Sequence, residues 1–226
     1  PSTQDVSGSY SCASATAGAA LWMACLTAAS SVKRLDPPQR NRNDSAPPPA
    51  PVVAASPDVM VLAANPEVDA LTLAAVALDG TVVARERIDA LDLPTPDATV
   101  DQLAEALDRW GDGDLSGARF VGVGVATPGL VRASDGVVRH APHLRWRDVP
   151  LRALVEEATG LPTAVDNDAT LGAIAEHRFG AGVGVDHLVY LNGGASGIGG
   201  GVIVAGMPLG GASGYAGEFG QNRPGI

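Results

Sequence analysis

The feature that most constrains the fold of this chain is a glycine-dense stretch from Leu188 to Gly220. Leu188 to Leu191 is a short apolar run typical of a buried strand, and Val202 to Val204 resumes that pattern after six intervening glycines. Glycine reaches backbone angles closed to other residues and lets main-chain N–H groups approach a ligand. The stretch therefore predicts a strand, a glycine turn and a strand. Such a turn is either a tight hairpin alone or a cradle for phosphate or a polar sugar.

Acidic residues bracket this stretch. Asn167 and Asp168 come directly after the apolar run Pro162 to Val165, and Glu218 lies near the downstream end of the glycines. α/β folds place ligands where a strand ends and the next helix begins, because the free N–H groups and the dipole of the helix N-terminus can bind polar groups there. Carboxylates beside glycine turns suit a hydroxyl-rich ligand. The alternative is that Asn167 or Asp168 only caps the helix predicted to begin at Ala169.

Upstream of these residues, the pattern from Asp58 onward predicts a regular α/β order. Three antiparallel strands are predicted first, at Val59 to Ala63, Leu71 to Leu78 and Thr81 to Ile88. Apolar spacing then predicts a helix over Thr99 to Trp110. A second helix is predicted over Asp148 to Thr159, with Asp148 as its N-cap and Gly160 as its stop.

Four blocks of sequence carry a resemblance to a known family. They read VGVGVATPGLV (121–131), HAPHLRWRDVPL (140–151), AVDNDATLGAIAEHRFGAG (164–182) and GIGGGVIVAGMPLGGASGYAGEFG (197–220). In their order and spacing they resemble the ROK family, whose name joins repressors, open reading frames and sugar kinases. The resemblance implies an α/β fold of the actin-like ATPase, or ribonuclease H-like, type with an incomplete second lobe. The predicted order of strands and helices agrees with that fold.

The resemblance also implies roles for individual residues. In similar sugar kinases Asp168 would accept the proton of the attacking sugar hydroxyl, Asn167 would read a neighbouring hydroxyl, and Glu218 would be a second hydroxyl-binding acid. Gln221 stands in the substrate-binding position of a family histidine that also ligates zinc; because glutamine is a poor zinc ligand, we expect no zinc and no other metal. The residues expected in a phosphate loop are Gly193, Gly194, Ser196, Gly197 and Gly199.

The stretch Val61 to Asp69 departs from the kinases of that family. Those open their first hairpin with an Asp-x-Gly-x-Thr clamp, in which glycine lets the backbone approach ATP and the acid organises magnesium. Neither glycine nor threonine is present here, and Pro66 has no N–H to offer. We therefore expect the ligand-sensing domain of a sugar-responsive transcriptional regulator without kinase activity. The alternatives are an ATP-dependent hexose or amino-sugar kinase, with Mg-ATP as co-substrate and Asp168 as its base, and a degenerate domain without either activity.

Residues 1–57 are expected to form a disordered or atypical head and linker, and residues 58–226 a C-terminally truncated sugar-binding domain. Asp36 to Pro57 is a linker by composition, and residues 1–35 show no helix-turn-helix pattern. DNA would then be contacted only through a missing or unrecognised N-terminal module. The uncharged stretch Cys12 to Val32 is mostly Ala, Ser, Thr and Gly, which are too weakly apolar to favour a membrane span.

Charge and cysteine usage limit the partners further. A net charge of −10 gives no general electrostatic attraction to nucleic acid or to an anionic membrane. Cys12 and Cys25 form no Cys-x-x-Cys pair, which argues against a disulfide-rich secreted protein and favours the cytoplasm. The family resemblance implies a homodimer. His143 is expected in a proline loop and His177 on a helix surface, both without a functional role.

Overall fold

The computed structural model describes residues 56–194, 197–212 and 214–221. The predicted head, nearly all of the predicted linker and Ser196 of the predicted phosphate loop lie outside the described residues, as does the side chain of Gln221. Among the helices that are described, none combines the length and the apolar character needed to cross a bilayer.

The described residues form eleven strands and three α-helices. In chain order they are β1 (Val59–Pro66), β2 (Ala70–Ala77), β3 (Val82–Asp89), α1 (Pro96–Asp112), β4 (Arg119–Thr127), β5 (Leu130–Arg132), β6 (Val137–Ala141), β7 (Trp146–Val149), α2 (Leu151–Thr159), β8 (Thr163–Asn167), α3 (Asp168–Phe179), β9 (Leu188–Gly194), β10 (Gly197–Val204) and β11 (Met207–Pro208). A 3-10 turn follows at Phe219–Gln221.

The central sheet has five strands in the order β3-β2-β1-β4-β8. Strands β1, β2 and β3 pair antiparallel, as the sequence predicts, whereas β4 lies parallel to both β1 and β8. Ala64 is in register with Val125, and Thr127 with Asn167. The carboxyl ends of β1, β4 and β8 therefore meet at one edge of the sheet, which is where parallel α/β sheets place their ligands.

The main hydrophobic core lies on one face of this sheet. Leu62 and Leu73 of the sheet belong to the same buried cluster as Leu103 of α1 and Leu151 of α2. Trp146 of β7 joins that cluster, and its indole Nε1 donates a hydrogen bond of 2.8 Å to the carbonyl of Pro94 just before α1. Because β5, β6 and β7 form a small antiparallel sheet that shares this core, the loops at its ends are fixed relative to the central sheet.

Helix α2 begins later than the sequence predicts. Asp148 is not its N-cap but lies in β7, where its carboxylate forms an ion pair of 2.7 Å with Arg139 of β6. The reason is Pro150, which disfavours helical angles in the residue before it and lacks an N–H of its own, so that α2 starts at Leu151. The predicted stop is confirmed, since Gly160 adopts the left-handed conformation with φ of 67°.

Residues 188–204 of the glycine-dense stretch form the hairpin β9–β10, so the predicted strand, turn and strand are confirmed, but the six glycines from Gly193 to Gly201 lie within the strands. Helix α3 explains their presence there. A Cβ on Gly201 would lie 2.5 Å from the Cβ of Ala173, and a Cβ on Gly199 would lie 2.9 Å from that of Ala169. Glycine at 199 and 201 is therefore required by the close approach of a helix, whatever the hairpin binds.

Candidate ligand-binding site

A cleft of about 490 Å³ lies at the carboxyl ends of β4 and β8. Four connections and one helix N-terminus contribute to its walls. The lining residues are Pro128, Gly129, Leu130, His140, Ala141, Pro142, His143, Asn167, Asp168, Asn192, Ile198, Gly199 and Glu218. Its volume lies within the range of small-molecule sites, and its walls mix apolar surface with a few polar groups that converge on the same space.

Asn167 is held firmly at the start of α3. Its Oδ1 accepts the N–H of Thr170 at 2.9 Å, so it is the N-cap of the helix, as one sequence interpretation proposed. Its Nδ2 donates to the carbonyl of Gly129 at 3.0 Å and to Asp168 Oδ1 at 3.2 Å. These bonds tie the β4–β5 turn to the helix. They leave one lone pair of Oδ1 as the part of the amide best able to meet a ligand.

Asp168 is the first residue of α3 and is only partly exposed. Its Oδ1 accepts the N–H of Ala169 at 2.8 Å as well as the amide of Asn167. Burial raises the pKa of the Asp168 carboxyl above its ordinary value, and the hydrogen bond from Ala169 offsets part of that effect. Because both of these bonds are made to Oδ1, Oδ2 is the oxygen suited to accept a hydrogen bond from a hydroxyl group.

Glu218 reaches the cleft because the chain beside it packs against β10. The ring of Phe219 covers Gly200, and Gly217, with φ of 100°, lies so close to the carbonyl of Gly200 that no side chain would fit. Glu218 is thereby fixed opposite the N-terminus of α3. Burial raises the pKa of Glu218, and the negative charge of Asp168 raises it further.

A third carboxylate approaches from the turn between β1 and β2. Burial raises the pKa of Glu67, while Arg87 of β3 lowers it and the charge of Asp168 raises it. Arg87 binds the acids of this turn, with its guanidinium 3.6 Å from Glu67 and 3.0 Å from Asp69. Glu67 does not line the cleft, but it lies near enough to Asp168 for the two charges to interact.

The structure brings together Asn167, Asp168 and Glu218, the three polar residues that the sequence analysis singles out most strongly. From the predicted phosphate loop, Gly199 lines the cleft and Gly193 does not. His177, on α3, bonds through its Nε2 to the carbonyl of Val185 at 2.9 Å, away from this site.

The sequence analysis missed His140, His143 and Asn192, which also line the cleft. His140 lies near the end of β6 and His143 in the β6–β7 connection, and the register of β5 with β6 places this segment beside Gly129. The signal available in the sequence was that both histidines belong to one of the four family-like blocks.

A bound metal is not supported by the described side chains. In residues 56–194, 197–212 and 214–221, no three His, Cys, Asp or Glu side chains are arranged to hold a metal ion. Because the side chain of Gln221 and residues 222–226 lie outside the described part, the absence of zinc stays a prediction, and no step of the proposals below uses zinc.

Asp166, which precedes the cleft residues and does not line the cleft, gives a prediction on stability. Burial raises the pKa of Asp166 in the native state above the ordinary 3.8 of the unfolded chain. The charged carboxylate therefore destabilises the native state. This destabilisation is absent below pH 3.8, grows as the pH rises from there to the raised pKa, and is fully present above it. We expect Asp166→Asn to have the higher free energy of unfolding at about pH 7 and to match the parent at about pH 3, where both side chains are neutral. Urea unfolding at both pH values tests this, with exposed Asp101→Asn as the control. An equal difference at both pH values would contradict it.

Comparison with protein families and with known proteins places these features in context. The ROK family model matches residues 68–225. A xylose repressor from Caldicellulosiruptor bescii is 41% identical over 102 residues, which are 45% of this chain and 25% of the relative. A glucokinase from Halalkalibacterium halodurans is 39% identical over 120 residues, which are 53% of this chain and 36% of the relative. The chain thus spans well under half the length of either relative.

Solved structures of both kinds resemble the fold. A ROK family transcriptional regulator, a homolog of the E. coli MLC protein, superimposes with a TM-score of 0.64 at 28% identity, over 71% of this chain and 40% of that chain. A ROK family glucokinase from Streptomyces griseus, solved in complex with glucose and AMPPNP, gives 0.63 at 30% identity, over 73% of this chain and 50% of that chain. Repressors and kinases are therefore similar to this chain to nearly the same degree.

Proposed function

The chain belongs to the ROK family, and from this premise we propose that it is the sugar-sensing part of a transcriptional regulator that binds a small sugar and does not phosphorylate it. The sugar occupies the cleft at the start of α3. Asp168 and Glu218 accept hydrogen bonds from its hydroxyl groups, and Asn167 orients the helix N-terminus toward it.

The acidic turn between β1 and β2 is the observation that carries this proposal. A phosphate clamp needs free N–H groups or positive charge. Here Pro66 has no N–H, and the N–H of Glu67 is already donated to the carbonyl of Ala70 at 2.8 Å. The turn offers the carboxylates of Glu67 and Asp69, and the cation that pairs with them, Arg87, is engaged by both. A nucleotide phosphate would find carboxylates at this turn, but not the glycine and threonine that complete the clamp in a kinase.

Regulation would follow from the position of the cleft. It lies between the central sheet and the layer formed by α3, β9 and β10, so a ligand that contacts both favours the arrangement in which they are close together. A change of that kind would be passed to a DNA-binding module joined to residues 1–57 or to the interface of a homodimer. A cytoplasmic location agrees with this role.

The second candidate function is an ATP-dependent sugar kinase. Two observations favour it: the glucokinases similar to this chain, and the partly buried Asp168, whose raised pKa suits a group that accepts a proton from a sugar hydroxyl. In that case Asp168 is the general base, and the β9–β10 hairpin holds phosphate.

One pair of measurements separates the two functions. We expect calorimetric titration of the purified protein with glucose, xylose and N-acetylmannosamine to detect binding of at least one sugar, and titration with Mg-ATP to detect none. A coupled assay with the bound sugar, ATP and Mg²⁺ should show no ADP formation above the rate without sugar. Sugar-dependent ATP turnover at an ordinary enzymatic rate, above about 1 per second, would replace the regulator with the kinase.

A further inference from the structure

The small sheet formed by β9, β10 and β11 has one face against α3, which approaches Gly199 and Gly201 closely. Because side chains alternate along a strand, the intervening residues lie on the opposite face, where Val189 is in register with Val202. Five large apolar side chains of this opposite face are between 45 and 67% exposed. Together they define the open face: Val189, Leu191, Ile198, Val204 and Met207.

The open face carries no charge. The other residues on it are Gly193, Gly200 and Val202, and the ring of Phe219 lies against Gly200 at one end. Single exposed apolar residues are normal on a protein surface, whereas a contiguous group of them marks an interaction site. The open face is therefore expected to be covered by an apolar partner.

The dimensions of the open face limit what covers it. Its strands have 7, 8 and 2 residues, so it extends about 25 Å along the strands and about 10 Å across them. Two separate proteins that associate stably bury about 800 Å² on each partner, which a face of this size does not supply alone. A segment of the same chain needs less area, because its linker keeps it at a high effective concentration.

The chain contains a stretch that fits these limits and that the sugar-sensing function does not use. Residues 6–32 carry no charge, and most of their large apolar side chains belong to Leu21 to Val32. The spacing of Trp22, Leu26 and Ala29 predicts a helix with one apolar face. A helix of about 12 residues is about 18 Å long and about 10 Å wide, which matches the open face.

We propose that the stretch from Leu21 to Val32 packs its apolar side chains against the open face of its own chain. The proline-rich linker from Asp36 to Pro57 spans about 60 Å when extended, and a domain of this size is about 40 Å across, so the open face is within reach. Ile198 belongs both to the open face and to the lining of the cleft, so the docked stretch would lie beside the ligand site. This docking is independent of the proposed sugar-sensing function.

The two cysteines of the chain, Cys12 and Cys25, are its own reporters, because Cys25 lies within the docking stretch and Cys12 does not. The experiment is reaction of the purified, reduced full-length protein with dithionitrobenzoate, with Cys12→Ser and Cys25→Ser to assign each rate. A thiol that is packed against a protein surface reacts only when the contact opens. In the native protein we expect Cys25 to react about tenfold more slowly than Cys12, and in urea at the same rate.

Two variants locate the contact. Leu191→Glu places a charge in the open face and should bring the rate of Cys25 to within about twofold of that of Cys12, because a charge is costly to bury. Leu91→Glu is the matched control, since Leu91 is fully exposed in the β3–α1 connection and should leave Cys25 slow. Circular dichroism should be the same for both variants, because each replaces an exposed side chain.

Three outcomes would overturn the docking. In the first, the two thiols of the native protein react at equal rates. In the second, Cys25 is slow and stays slow in Leu191→Glu, which would place the contact of its stretch elsewhere. In the third, the slow rate depends on protein concentration and sedimentation gives twice the mass of the chain, so that a second copy covers the open face.

Discussion

Replacing Gly201 with alanine is expected to lower the free energy of unfolding by about 2 kcal/mol, and the melting temperature by about 4 to 8 °C. The added methyl group would lie 2.5 Å from the Cβ of Ala173 and 3.0 Å from the carbonyl oxygen of Ala169. Both neighbours belong to α3, and one of them is backbone, so the strain can be relieved only by moving the helix away from β10. Thermal unfolding followed by circular dichroism measures the effect.

A glycine of the same hairpin supplies the matched control. Gly193 has no atom within 4 Å of the position that a Cβ would take, so Gly193→Ala should change the free energy of unfolding by less than about 0.5 kcal/mol. A double variant sharpens the test: in the Gly201→Ala background, Ala173→Gly frees the space again. The two substitutions together should then cost less than the sum of their separate costs. Strict additivity would show that the contact with α3 is not what requires glycine at 201.

Gly201 also shows which part of the hairpin could be predicted from the sequence. The spacing of apolar runs and glycines predicts two strands and a turn, because these are local preferences of the backbone. The packing of α3 against Gly199 and Gly201 is a contact between elements distant in the chain, and the sequence does not reveal it. From the sequence the glycines are explained by a tight hairpin or by a ligand cradle, whereas the structure shows that the packing of α3 requires glycine at 199 and 201.

The fold followed from the sequence for similar reasons. Three antiparallel strands and the α/β order come from apolar periodicity and turn residues, and the actin-like ATPase type implied by the family resemblance is confirmed by the solved structures that resemble the chain. The start of α2 was wrong because Asp148 was given more weight than Pro150. Proline is tolerated in the first turn of a helix, but it disfavours helical angles in the residue before it, so the chain stays extended through Val149 and α2 begins after Pro150.

The site was predictable where residues adjacent in sequence form it, and less so where separate loops meet. Asn167 and Asp168 follow one strand and precede one helix, and the sequence alone places them at a ligand-binding edge. His140, His143 and Glu67 reach the same region from the small β5–β7 sheet and from the β1–β2 turn. Their proximity to Asp168 depends on how the sheets pack, and no local pattern records it.

The acidic β1–β2 turn connects these observations. As a kinase, this chain would use Asp168 as the base for the sugar hydroxyl and would need a clamp that holds the phosphates of ATP beside that hydroxyl. Asp168 is present in this chain, whereas its β1–β2 turn has Glu67 and Asp69 without the glycine and threonine of the clamp. If the protein is the sensor proposed above, its site binds the sugar without a chemical step, so replacing Asp168 is expected to change the affinity for the sugar.

Replacing Asp168 with asparagine is expected to weaken sugar binding about 30- to 100-fold in calorimetric titration with the sugar that binds best. Each hydrogen bond to a charged acceptor contributes about 1.5 to 3 kcal/mol, and every 1.4 kcal/mol changes affinity tenfold. The amide oxygen of asparagine can still accept the N–H of Ala169, now bound at 2.8 Å by Asp168 Oδ1, so α3 should keep its start. The melting temperature should be unchanged or slightly higher at neutral pH, because the carboxylate that burial disfavours has been removed.

Asp166→Asn is the control for this variant, because it removes a buried carboxylate two residues away that does not line the cleft. Its sugar affinity should stay within about twofold of the parent, since substitutions away from a binding site change the binding free energy little.

If Asp168→Asn bound sugar as tightly as the parent, Asp168 would be only a structural residue of the α3 N-terminus, and the sensor proposal would lose its main ligand contact. If the parent instead turned over ATP with the sugar and Asp168→Asn kept its affinity but lost that turnover, Asp168 would be a general base and the protein a kinase. A loss of affinity, in a parent that forms no ADP, is the result that only the sensor explains.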